Sequence, residues 1–252
     1  MKTPWETSPL PSGKFEGIEF AVSPHQEEKG TSHLMAADAE GNIVSLTTTI
    51  EGNWGSGVVV PGRGFILNNE MTDFSMKPRG EDGLPIANAI SGERRKRRSA
   101  LGEDAETFGG KRPRSSMSPT IVIGADGKRQ FGIGSSGGGY IIGSVLGGIV
   151  NSLDFGMGLQ GAINASRAWG FNNGQVRLED DSYCFCNGRD LFADAALKAG
   201  LLAKGLVEAT SKFQLVASTT RQYLQAIGVG SDGKVTAAAD VQRAHMAGAF
   251  VE

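Results

Sequence analysis

Two short strand-like runs of apolar and hydroxyl-bearing residues stand early in the chain. One is Ser32 to Ala37. The other, Ile43-Val44-Ser45-Leu46-Thr47-Thr48-Thr49, is rich in β-branched side chains, which favour strands. Between them, Asp38-Ala39-Glu40-Gly41-Asn42 carries turn chemistry. The pattern predicts a hairpin with Thr31 at its open end.

Further on, Val58 to Leu67 has strand–turn–strand form, with Pro61-Gly62-Arg63-Gly64 as the turn. Glu70 to Gly110 is polar, glycine-rich and charged, which predicts loop. Ser118 to Ile123 and Gln130 to Ile133 read as paired strands around Ala125-Asp126-Gly127-Lys128. Ile142, Val145, Leu146, Ile149, Val150 and Leu153 recur at helical spacing, predicting a helix over Tyr140 to Leu153. Leu159 to Ala168 predicts a second helix. Leu191 to Ala199 predicts a third, ended by Gly200. Ser218 to Val229 and Val235 to Ala238 return as strands across Ser231-Asp232-Gly233. The order is that of one α+β unit.

Composition narrows the class. The 252 residues suffice for one substantial core or two small ones. There are 37 glycines, set inside apolar runs, so they indicate tight turns and close backbone approach rather than disorder. A net charge of −2 implies no global attraction to nucleic acid or membrane. No apolar run is long enough to span a bilayer. Met1 to Gly30 has four prolines and lacks a basic start followed by an apolar core. It reads as extended linker rather than a signal peptide. The compartment stays open. Cys184 and Cys186 are too close in sequence for ordinary disulfide geometry. With only His25, His33 and His245 besides, no metal site is expected.

Thr31 follows Gly30 at the head of the first run. A threonine hydroxyl is a poor nucleophile unless a base stands beside it. Cleavage of the Gly30–Thr31 bond would make that base Thr31's own α-amine, which titrates at about 7.7–8.0. On the residues alone, Thr31 reads first as a surface threonine at a strand start, common in any β protein.

Several motifs, in order, change that balance. Thr31-Ser32-His33 is followed by Asp38-x-x-Gly41-Asn42-x-Val44-Ser45 and Gly55-Ser56-Gly57. Then come Gly64 to Ser75, Lys111 to Thr120 and Gly134-Ser135-Ser136-Gly137-Gly138. This series resembles the small subunit of the γ-glutamyltransferases, N-terminal-nucleophile hydrolases that cut themselves to expose a threonine. The resemblance runs from Thr31 to Phe250. It implies an αββα sandwich, of which this chain supplies the small-subunit half. Residues 1–30 would be the end of the large subunit, and 31–252 the catalytic part. It also implies γ-glutamyl transfer or hydrolysis from glutathione-like donors to water, amino acids or peptides. No cofactor is needed. The implied partner is the large subunit, which normally supplies an arginine for the donor α-carboxylate.

The same resemblance assigns roles by position. Thr31 is the nucleophile, and Thr49 bonds its hydroxyl. Gly137 and Gly138 hold the oxyanion through backbone N–H groups. Glu70 and Asp73 bind the donor ammonium, and Ser115 and Ser116 its α-carboxylate. Two departures stand out. Ser136 replaces a frequent proline. Glu51 stands where better-known members carry a neutral asparagine. A third carboxylate adds charge for the ammonium, and with Arg114 it suggests the acylase-like branch. Roughly Gly92 to Phe108 reads as an insertion in a lid over the donor pocket.

Alternatives remain on the residues. Each named side chain also fits an ordinary strand or loop position. The activity is alternatively that of an amide acylase with a non-glutathione donor, or the chain is inactive and serves only as a subunit. Arg94-Arg95-Lys96-Arg97-Arg98 is a solvated run in the bland reading and a nucleic-acid patch in the rival one.

Overall fold

The computed structural model describes residues 30–38, 40–84, 86, 89, 95–98, 104–107, 112–126, 129–171, 175–179, 194–203, 214–218, 222–230 and 233–240. They fall into two units. One draws on residues between 54 and 115. The other draws on residues 30–53 and on those from 116 onward.

The larger unit begins with the hairpin. Strands β1 (Thr31–Ala37) and β2 (Ile43–Thr49) pair antiparallel over all seven positions, from Thr31 opposite Thr49 to Ala37 opposite Ile43. Asp38 closes the turn: its carboxylate accepts both the backbone and the side-chain N–H of Asn42, each at 2.7 Å. Asx side chains favour turns through bonds of this kind.

A four-stranded antiparallel sheet follows, β11-β10-β6-β5. Its strands are β5 (Thr120–Ile123), β6 (Arg129–Ser135), β10 (Leu224–Val229) and β11 (Val235–Ala239). One face carries Phe131, Ile133, Leu224, Ala226 and Ala238. They bury against Ile141 and Val145 of α1 (Ile141–Leu153) and Ile163 of α2 (Leu159–Asn164). The other face of β6 presents glycines at 132 and 134. A Cβ at Gly132 would collide with Met35 and Ile43, and one at Gly134 with the His33 ring. Glycine at alternate positions thus lets the hairpin lie close on the sheet, as strand periodicity allows. The layers are hairpin, sheet and helices.

A three-stranded sheet completes this unit: β7 (Ala168–Gly170), β8 (Gln175–Glu179) and β9 (Gln214–Ser218), with β7–β8 antiparallel and β8–β9 parallel. Helix α3 is Ala195–Ala203.

In the smaller unit, Val59 bridges Ile66, and Leu67 N–H donates to Val58 O at 2.9 Å, closing the predicted strand–turn–strand. Glu70–Asp73 is a single 3-10 turn. A small apolar cluster joins Ile86, Ala89 and Leu84.

Five local expectations need correction. Glu70 to Gly110 is not all loop, because β3 (Arg95–Arg98) and β4 (Asp104–Thr107) pair within it. The register sets Lys96 opposite Glu106 and Arg98 opposite Asp104, an alternation that suits a polar hairpin. The second helix stops at Asn164, and Ala168 opens a strand. The Arg167 guanidinium donates to Ile163 O at 2.9 Å and takes a carbonyl at the helix end. The third helix starts late because Asp194 Oδ1 accepts the Leu197 N–H at 2.9 Å, an N-cap bond. It then continues through Gly200. The run Ser218 to Val229 is two strands, β9 and β10, rather than one. Strand β8 had no counterpart in the sequence reading. Residues 1–29, Cys184, Cys186 and His245 lie outside the described residues. Among the described residues, no helix is long and apolar enough to cross a membrane.

Candidate active site

The open end of the hairpin gathers three of the expected residues. Because Thr31 and Thr49 are cross-strand partners, their side chains share a face. Thr31 Oγ1 donates to Thr49 Oγ1 at 3.1 Å. Thr49 Oγ1 also accepts the Glu51 N–H at 2.8 Å. Thr49 Oγ1 therefore accepts two donors, the Glu51 N–H and the Thr31 hydroxyl.

Glu51 sets that geometry with its backbone. Its φ is 67°, the left-handed region a side chain normally avoids. This conformation turns its N–H toward Thr49, while its carbonyl accepts the Gly30 N–H at 2.7 Å. The Gly30 carbonyl, at the bond before Thr31, accepts from Ile50 N–H at 3.4 Å. Gly30 is held through both its N–H and its carbonyl. The Glu51 side chain is buried.

His33 lies two residues beyond Thr31 on the same strand face. It is buried, and its Nδ1 sits 2.8 Å from Thr47 Oγ1, the cross-strand partner position. Burial without a charged partner lowers its pKa from 6.5 to about 4. The ring is therefore neutral at neutral pH. Sequence reasoning quoted His33 only as part of a motif.

Gly137 and Gly138 follow β6. Gly137 has φ 115° and Gly138 φ 59°, and a 3-10 turn over Gly138–Tyr140 leads into α1. Backbone N–H groups ahead of a helix N-terminus are ready-made donors for an anion. Ser136 makes use of an N–H that proline lacks: it donates to Tyr223 O at 3.3 Å. Ser135 Oγ donates to Ser136 O at 2.8 Å. Hydrogen bonds pin the loop where a ring would otherwise stiffen it.

Behind the loop lies a second group that the sequence did not reveal. Arg167 and Asp240 form a buried ion pair at 2.5 Å. The Arg167 guanidinium also donates to Gln222 O at 3.3 Å. Tyr140 is buried, stacks edge-on against Trp169 at 5.2 Å, and accepts a hydrogen bond from Arg177. These partners come from strands far apart in sequence, so no local motif announces them.

The remaining expected residues divide between the units. Ser116 belongs to the larger one, where its carbonyl accepts Ser118 Oγ at 3.0 Å. Glu70, Asp73 and Ser115 belong to the smaller one. Glu70 and Asp73 share the 3-10 turn, Asp73 buried, with the Glu70 N–H bonded to Asn68 Oδ1 at 3.1 Å. Among the described residues, no group of three His, Cys, Asp or Glu side chains gathers as a metal site.

The chain matches the γ-glutamyltranspeptidase family over residues 6–250. The chain belongs to this family. It is 42% identical over 142 residues to a glutathione hydrolase proenzyme of Escherichia coli, covering 56% of this chain and 22% of that protein. The glutathione hydrolase proenzyme of Pseudomonas aeruginosa is 40% identical over 163 residues, 64% of this chain and 26% of that one. The chain thus spans under a third of these curated relatives. A crystal structure of a mutant Helicobacter pylori γ-glutamyltranspeptidase superposes with a TM-score of 0.60 and 32% identity, covering 82% of this chain and 97% of that one. The fold is that of the γ-glutamyltranspeptidases, an α+β N-terminal-nucleophile hydrolase.

Proposed function

We propose that this chain is the nucleophile-bearing part of an enzyme that transfers or hydrolyses γ-glutamyl groups. The observation that carries the reading is that Thr49 Oγ1 accepts both the Glu51 N–H and the Thr31 hydroxyl beside the Gly30 carbonyl. The names of its relatives, glutathione hydrolase proenzymes, agree with it.

Maturation comes first. The Thr31 hydroxyl attacks the Gly30 carbonyl, its proton passes by way of Thr49 Oγ1 to the Thr31 nitrogen, the Gly30–Thr31 C–N bond breaks, and Gly30 remains as an ester on Thr31 Oγ1. The resulting ester hydrolyses and leaves Thr31 with a free α-amine. In turnover, that amine accepts the hydroxyl proton while Thr31 Oγ attacks the γ-amide carbonyl of the donor. The tetrahedral oxyanion is held by the N–H groups of Gly137 and Gly138. Loss of one such donor typically costs about 3 kcal/mol in barrier. The amine returns its proton to the leaving nitrogen, the C–N bond breaks, and an ester to Thr31 remains. Water or an acceptor amine then attacks this ester, and the acyl group leaves.

Donor recognition falls to carboxylates for the ammonium, Glu70, Asp73 and Glu51, and to Ser115 and Ser116 for the α-carboxylate. Residues 92–108 belong to a lid insertion in this reading. A large subunit is the partner. The hairpin's outer face supports it, because Leu34, Val44 and Leu46 are each roughly half exposed there.

Glu51 favours one second reading, an acylase whose donor differs from glutathione. The test for both is hydrolysis of γ-glutamyl-p-nitroanilide alongside an analogue lacking the α-amine. Turnover of the first, lost in Thr31→Ala, supports the main reading. Preference for the second supports the acylase. No acyl-Thr31 ester with either donor rejects both.

A further inference from the structure

Gln222 is fully buried, and neither its Oε1 nor its Nε2 has a hydrogen-bond partner among the described residues. A buried amide left in that state opposes folding, so its retention calls for an explanation.

Its surroundings supply one. Gln222 stands directly against the oxyanion loop. A Cβ on Gly137 would lie 2.6 Å from Gln222 Cγ, 3.1 Å from its Cβ and 3.3 Å from its Cα. The space next to Gly137 is thus filled by the glutamine stem. Gly137 also has φ 115°, which excludes other residues on backbone grounds.

Gln222 cannot withdraw from this contact. Its own carbonyl accepts from Arg167 at 3.3 Å, and Arg167 is locked to Asp240 at 2.5 Å. The carbonyl of the next residue, Tyr223, accepts the Ser136 N–H at 3.3 Å. A buried ion pair, the backbone of 222–223 and the Gln222 stem together back the loop from 136 to 138.

We propose that Gln222 is a positioning residue for the oxyanion loop, holding Gly137 and Gly138 from behind, with its neutral amide kept beside the loop at the expense of stability. The neutral amide stands on a stem that packs against Gly137, and preorganised dipoles beside developing charge lower the barrier without reorganisation. A carboxylate there would oppose the oxyanion, and an apolar isostere would lose the dipole while keeping the stem.

The inference rests on the acyl-transfer reading for its kinetic arm only. The experiment compares Gln222→Met, Gln222→Glu and Gln222→Ala in the mature protein with its partner subunit. One readout is hydrogen–deuterium exchange of the peptide containing residues 136–138, which needs no substrate. Gln222→Ala, which removes the stem, is expected to exchange there about tenfold faster, with β10 and β11 unchanged. Unchanged exchange at 136–138 overturns the proposal.

The other readout is γ-glutamyl-p-nitroanilide hydrolysis. Gln222→Met is expected to melt at or above the wild-type temperature, yet to lose about tenfold in kcat with KM held within about twofold. Gln222→Glu is expected to lose more. Wild-type kcat in Gln222→Met overturns the role of the amide. Faster exchange in Gln222→Ala, in a protein whose wild type forms no acyl-Thr31 ester, rejects the acyl-transfer reading and leaves the positioning role standing.

Discussion

The imidazole of His33 occupies the place where a side chain on Gly134 would stand. His33 belongs to the strand that begins with Thr31, and Gly134 to the strand that ends two residues before Gly137. The contact fixes the distance between the layer that carries the Thr31 hydroxyl and the layer that leads into the Gly137–Gly138 turn. Anything that changes His33 acts on both.

Protonation is one such change. In the folded chain His33 titrates near 4, against 6.5 when exposed. The unfolded state therefore takes up the proton first as pH falls. The stability this contributes is complete above about pH 6.5 and is lost progressively toward pH 4. At pH 4.5 most of this contribution is gone. Urea melts between pH 7.5 and 4.5 measure it. His33→Gln should flatten the profile across this window. An equally steep profile in that variant would assign the loss to other groups.

Thr31 tests the nucleophile. Until the bond from Gly30 is cut, its nitrogen is an amide and no base. Active material should begin Thr31-Ser32-His33 on N-terminal sequencing. Thr31→Ala should neither cut nor turn over. Thr31→Ser should keep part of both, because the hydroxyl does the chemistry and the methyl group mainly restricts its rotamer. Full turnover by an uncut chain would sink the mechanism.

Much of this was legible in the sequence, and the reason is locality. The hairpin from Thr31 to Thr49 is encoded by two strand-forming runs and a polar turn within a short stretch, whereas the Thr31–Thr49 bond was implied only by the family resemblance. The glycine loop before α1 is also local, and its glycines are demanded by φ. The brace behind it was not legible. Arg167, Gln222 and Asp240 are 55 and 73 residues apart along the chain and meet only after β7, β10 and β11 are in place. The early end of α2 has the same origin, since Arg167 bonds the helix carbonyl from a strand entrance. Residues 95–107 read as loop because charge dominates their composition, whereas cross-strand pairing of opposite signs suits a hairpin there.

Thr49 separates support from chemistry. Its oxygen accepts from Thr31 and from Glu51 N–H. Thr49→Val keeps the β-branched shape and removes the hydroxyl. A hydrogen bond to a group that develops charge contributes about 1.5–3 kcal/mol, so kcat should fall roughly ten- to hundredfold. Cleavage before Thr31 should slow in parallel, and Thr49→Ser should restore both. Unaltered cleavage kinetics in Thr49→Val would show that the bond to Thr31 is incidental.

Glu51 carries two separable roles. Its left-handed backbone positions the N–H on Thr49 and the carbonyl on Gly30. Asparagine tolerates that conformation, whereas β-branched residues do not. Glu51→Asn should therefore cut normally and melt no lower than wild type. It should raise KM for donors that bear an α-ammonium and leave KM unchanged for donors without one. Glu51→Val should lose about 1–3 kcal/mol of stability and cut slowly. Normal cutting by Glu51→Val, followed by Edman sequencing from Thr31, would remove the backbone argument.

The outer face of the hairpin decides what the chain does alone. Leu34 stands opposite Leu46, and Ala36 opposite Val44. Leu34, Val44 and Leu46 are 48%, 55% and 46% exposed. Contiguous apolar sheet surface of this kind drives association unless something covers it. Expressed alone, the 252-residue chain should elute as aggregate and bind a hydrophobic dye. Leu46→Lys should reduce both, because a charge at the centre of the patch opposes stacking. The same substitution should also prevent recovery of the chain with a co-expressed large subunit and abolish turnover, although Thr31 itself is untouched. If Leu46→Lys still co-purifies with that subunit at full yield, the hairpin face is not the surface the partner covers. A wild-type chain that runs as a dye-negative monomer would show that the patch is covered from within.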